Sequence, residues 1–174
     1  MKNLFLFLIL VANFSLFAQP AFEFSRNIYR SPYANGTQYR VSQDDVTHSP
    51  IGAFDLRAQG DDNCDTHQIV AAAAGTVMFV EDDYNVSGPG LSASNNYVWI
   101  SHANGEWTKY THFKQNSVVV TVGQVVCAGT FLGFECSIGA VSPAGFRHLH
   151  FEVRAPVDPI SPNMDLTGGF MDST

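Results

Sequence analysis

The ten residues from Gly145 to Arg154 read Gly-Phe-Arg-His-Leu-His-Phe-Glu-Val-Arg. Apolar residues alternate with polar ones, the pattern of a half-buried β-strand. Residues two apart on a strand point to one face, so His148 and His150 project together. Two imidazoles side by side on a rigid strand suit a divalent metal or a proton-transfer pair. Upstream stand His48, seven residues before Asp55, and His112 in Tyr110-Thr111-His112-Phe113. A catalytic zinc takes three protein ligands from His and Asp/Glu and leaves one position for water. Histidines left unligated beside it suit proton transfer and oxyanion stabilisation. These five residues carry enough donors for both tasks, and spacing alone does not divide the roles.

The elements that must position them are short strands. Ser49-Pro50 and Gly52 put His48 on a loop, and Ala53 to Arg57 follows as a strand. Ile69 to Val80 is predicted as two short strands with a bend at Gly75 rather than a helix, because β-branched residues flank the alanines. Tyr97 to His102 and Glu106 to Phe113 form a hairpin around Ala103-Asn104-Gly105. Val118-Val119-Val120 and Val122 to Gly133 continue the β pattern. Asn35-Gly36 predicts a hairpin turn between Tyr33 and Gln38 to Val41. Glu81 to Asn95 is a polar loop long enough to form a functional rim. The acidic loop Gly60 to Asp65 reads as a solvated turn, with His67 facing solvent. The fold class is therefore all-β: antiparallel sheets with short strands and an open groove.

Residues 1–19 read as a signal peptide: Lys2, an apolar run from Leu4 to Val11, and a small residue, Ala18, at the cleavage point. The run is too short and too interrupted, at Asn13 and Ser15, to span a membrane. The division expected is 1–19 signal peptide, 20–44 N-terminal segment, 45–160 the catalytic domain and 161–174 a C-terminal tail. The protein is then secreted, periplasmic or extracellular, with no membrane association after cleavage. Nine Lys and Arg against sixteen Asp and Glu give a formal net charge of −7, the wrong sign for a nucleic-acid partner. Three cysteines, Cys64, Cys127 and Cys136, imply one disulfide and one free thiol. Cys127 and Cys136 could pair across a hairpin, and the sequence leaves the pairing open.

With these pieces in order, the chain resembles the M23 family of zinc metallopeptidases, the lysostaphin type of peptidoglycan endopeptidase. His48 with Asp55 resembles its His…Asp pair, and Tyr110 to Phe113 its Tyr-x-His-Leu element. Val122 to Gly133 resembles its Gly-Gln…Ala-Gly stretch, and His148-Leu149-His150-Phe151-Glu152-Val153 its His-Leu-His-Phe-Glu-Val signature. The resemblance covers roughly residues 45–155. It implies a barrel-sandwich type of architecture. It also implies one Zn2+ per chain on His48, Asp55 and His150, with catalytic roles for His112 and His148. The substrate it implies is a peptide bond in peptidoglycan or another Gly-rich peptide, cleaved by a monomer. The chain departs from the pattern in its wider His48–Asp55 spacing, in Cys136 where the family has glycine, and in a longer Ala140 to Arg147. Two other readings compete. A catalytically silent scaffold or regulator of another hydrolase would be expected to have lost one of the five residues. A biotinyl-type module would need a lysine at a hairpin tip, and neither Lys109 nor Lys114 is so placed.

Overall fold

The computed structural model describes residues 25, 27–48, 52–91, 94–155 and 172–173. The expected signal peptide, Ser49-Pro50 and nearly all of the C-terminal tail lie outside these residues. Among these residues ten strands follow one another: β1 (Tyr39–Gln43), β2 (Ala53–Ala58), β3 (Gln68–Val70), β4 (Gly75–Glu81), β5 (Tyr97–Ser101), β6 (Trp107–Thr111), β7 (Val125–Val126), β8 (Phe131–Phe134), β9 (Leu149–Ala155) and β10 (Asp172–Ser173). An eight-stranded sheet runs β1-β2-β9-β6-β5-β4-β7, with β10 paired to the end of β9; β3 and β8 form a separate two-stranded sheet. The named pairings are antiparallel, and no α-helix occurs among the described residues. The all-β expectation holds.

Strand alternation sorts the large sheet into two faces. Leu56, Val77, Val98, Ile100, Tyr110, Leu149, Phe151 and Val153 join Tyr33, Ile69, Phe113 and Leu132 in one buried core. The opposite face carries Asp55, Lys109, Thr111, His150 and Glu152. The register sets Asp55 opposite His150 on one side and Thr111 opposite His150 on the other. The face that carries these polar residues is therefore backed by the core itself. The bend expected at Gly75 starts β4, and a Cβ there would overlap the Ser101 carbonyl oxygen and crowd the His102 ring.

Three expectations need correction, and the open question of the disulfide partner is settled. The Asn35-Gly36 turn forms, with Gly36 at φ 88°, but it closes no hairpin: Tyr33 bridges to Ile69 whereas β1 pairs with β2. Val118 to Val120 is irregular, tied to the fold by the Val119 amide on the Leu132 carbonyl (2.9 Å). His67 does not face solvent. It is buried, with its Nε2 2.8 Å from the Asp61 carbonyl oxygen, and its own carbonyl accepts the Glu135 amide. The disulfide joins Cys64 to Cys136 and leaves Cys127 as an exposed free thiol. That bridge ties the exposed acidic loop to the segment after Glu135, whose amide bonds the His67 carbonyl.

Candidate active site

β2, β9 and the loop before β2 bring His48, Asp55 and His150 together. The His150 Nδ1 lies 3.1 Å from His48 Nε2 and 3.2 Å from Asp55 Oδ1, and His48 Nε2 lies 3.3 Å from Asp55 Oδ1. The other nitrogen of His150, Nε2, is 2.6 Å from Glu152 Oε1. A carboxylate only accepts, so Nε2 carries the proton and Nδ1 turns its lone pair inward. Lone pairs of two imidazoles and a carboxylate then face one another at hydrogen-bond distance. Such an arrangement is repulsive unless a cation or a proton sits among them. Donors about 2.0–2.1 Å from a tetrahedral zinc lie roughly 3.3 Å apart, which matches the three separations. The residues fit the metal.

Electrostatics agree with geometry. Burial by itself would raise the Asp55 carboxyl. The His150 and His48 rings, once a proton is shared among the three donors, outweigh it and hold the group far below the usual carboxylate range. Burial would likewise lower His150, yet Asp55 and Glu152 raise it. Glu152, itself buried, is held low by His150, Lys109 and Arg154: Lys109 Nζ donates to Oε1 at 3.2 Å and Arg154 Nε to Oε2 at 2.6 Å. The cluster is built to stabilise positive charge at its centre.

His112 and His148 lie against this triad, their ring centroids 4.6 Å apart and that of His112 6.0 Å from His150. His148 Nε2 is 3.5 Å from Asp55 Oδ1. His112 Nδ1 donates to the Ile138 carbonyl (2.7 Å) and His148 Nδ1 to the Phe146 carbonyl (3.0 Å), so in both rings Nε2 is left as the proton acceptor. Burial lowers both, His112 strongly and with help from the charges of His148 and His150. Neutral imidazoles at neutral pH are what a proton-accepting pair requires. His112 also sits at φ 74°, a left-handed conformation uncommon for a non-glycine residue. Its amide donates to Asn96 and its carbonyl accepts from Cys136, while the His148 amide donates to the Cys136 carbonyl. The disulfide residue thus backs both histidines.

The structure brings all five sequence-selected residues into one cluster. It adds Glu152, whose signal was its place two residues after His150 on the same strand face. His102, at the end of the first hairpin arm, is buried elsewhere, between the Ala74 carbonyl and the Thr108 hydroxyl.

Residues 55–162 match the family model of Peptidase family M23. The match spans more than half of the chain, and the protein belongs to that family. It begins at Asp55, so His48 joins the cluster on geometry. No curated protein matches the sequence significantly. Among solved structures, the chain is similar to a peptidase M23 assigned in Pseudomonas aeruginosa (22% identity, 87% of this chain, 56% of that one, TM-score 0.49). It is also similar to a zinc-containing peptidase from Vibrio cholerae (21%, 80% and 40%, TM-score 0.44). The catalytic domain of lysostaphin from Staphylococcus simulans is a third (24%, 72% and 80%, TM-score 0.41). The chain spans little more than half of the first of these, and the family assignment rests on the family model.

Proposed function

We propose that this protein is a secreted zinc metalloendopeptidase that hydrolyses peptide bonds in bacterial cell-wall peptidoglycan. The observation that carries the reading is the inward-facing donor set of His48 Nε2, Asp55 Oδ1 and His150 Nδ1, spaced at 3.1–3.3 Å. These three would hold Zn2+, which supplies Lewis-acid polarisation of the substrate carbonyl and a lowered pKa for water. The chain's own residues do the rest. His112 and His148 each present a neutral Nε2; one accepts the proton of the attacking water, and the imidazolium so formed returns it to the leaving amine. The other steadies the oxyanion that develops on the carbonyl. Core packing behind β2, β6 and β9 fixes these groups before substrate arrives.

Peptidoglycan as substrate is supported by membership of the family together with the apolar leader at Leu4 to Val11, which directs the chain to where that polymer lies. The test is release of new amino groups from purified peptidoglycan by residues 20–174, with and without a chelator. Release that stops with chelator and returns with zinc supports the reading. Bound zinc without release from any peptidoglycan would overturn the substrate assignment.

A further inference from the structure

The sheet face that carries the active site continues past Asp55 toward β1. Arg57 follows Asp55 by two residues on β2 and shares its face, and the β2–β9 register (Asp55 opposite His150, Leu56 opposite Leu149) brings it level with His148. Its guanidinium stacks 5.0 Å from the Phe146 ring, and that ring lies 5.3 Å from His148. Directly opposite Arg57 on β1 stands a second arginine, Arg40. Like charges facing each other across a strand pair are destabilising, so a chain of net charge −7 maintains this pair at a cost. Arg40, Arg57, Ala58, Gln59, Gly60 and Asp62 line a cavity of about 220 Å³.

Asp62 does not neutralise it. Its Oδ1 accepts from Arg57 (3.2 Å) and also from Arg147 (3.0 Å), while Arg147 is already paired with the buried Glu135 at 2.5 Å. Three arginines therefore face two acids, and the exposed Arg40 supplies the excess charge. The Asp62 carboxylate, gripped by two guanidinium groups, shows the chemistry that this corner accepts.

We propose that Arg40 and Arg57 form a carboxylate-binding subsite, separated from His148 by the Phe146 ring, that seats a free carboxylate of the peptide being cleaved. This deepens, and rests on, the peptidase reading. It favours a carboxylate-bearing stem peptide over an all-glycine bridge. The guanidinium pair supplies affinity and register along the groove and takes no part in proton transfer.

The test compares two cross-linked stem peptides that differ only in one carboxyl group, free in one and amidated in the other. The wild-type protein is expected to favour the acid by about tenfold in kcat/KM, as for a single charge-assisted contact, with the difference in KM and not in kcat. Arg40→Glu, at an exposed position that folding tolerates, should reverse the preference, and Arg57→Gln should erode it. Equal kcat/KM for the two peptides, or a preference that survives Arg40→Glu, overturns the subsite. Cleavage of neither peptide is a failure of the peptidase reading. In that case calorimetry of the uncleaved peptides decides the subsite alone: tighter binding of the acid supports it, and equal or absent binding overturns it.

Discussion

His150 is fixed at both ring nitrogens, one facing Asp55 and His48 and the other donating to Glu152. Carboxylate partners of ligating histidines set the tautomer and raise ligand basicity. Glu152→Gln keeps the shape but loses the charge, and we expect it to weaken zinc binding by roughly 10- to 100-fold. Competition with a chromophoric chelator measures this, and unchanged affinity would rule out the role. At this scale the sequence was informative. Alternation alone placed His148 and His150 together, and the same rule points to Glu152. The left-handed backbone of His112 was illegible, because it arises from hydrogen bonds to Asn96 and Cys136, both distant in sequence.

Among the elements, β9 does most of the positioning, paired to β2 through Asp55 and to β6 through Thr111. The segment from Glu135 to Ile138 comes second, since it receives both His112 and His148 through backbone bonds. Cys136 anchors that segment to Cys64 across a sequence separation of 72 residues. Closing so long a loop contributes on the order of 4 kcal/mol in the chain-entropy account. A Cys64→Ser, Cys136→Ser double variant should lose roughly 2–5 kcal/mol of unfolding free energy while retaining zinc. Urea denaturation reads the first and metal content the second; an unchanged urea midpoint would contradict the structural role of the bridge. Strand order in the hairpin Tyr97 to Phe113 was legible from alternation and its Asn-Gly turn. The disulfide partner was not, because pairing depends on the path of the Gly60 to His67 loop. Nor was the buried site of His67, which lies against the Asp61 carbonyl and accepts the Glu135 amide.

Among the described residues, one face of the large sheet packs the main core, the other carries the candidate site beside a Trp99–Trp107 cluster, and polar residues are buried on both. His102 belongs to neither cluster. Burial lowers it below its ordinary value of 6.5, against the opposing pull of the Ala74 carbonyl and Glu106. The unfolded chain therefore takes up the proton first as pH falls. The stability His102 contributes is present above pH 6.5 and is lost as pH drops from there through its folded value. The fall in unfolding free energy between pH 7.5 and pH 5.5, measured with metal removed, should be smaller in His102→Gln than in the wild type. Equal slopes would show that His102 is not held neutral by the fold. Overall class and the five-residue constellation could be read from patterning and motif order. The buried network of Tyr33, Glu135 and Arg147 could not, because nothing in sequence marks a Glu and an Arg twelve apart as partners in the core.

The account stands most directly on the metal content of three purified proteins: wild type, His150→Ala and His112→Ala. It predicts about one zinc per chain in the wild type and little or none in His150→Ala. It predicts full zinc in His112→Ala, with turnover reduced on the order of 10²- to 10⁴-fold. Zinc retained in full by His150→Ala, or absent from the wild type, would contradict it.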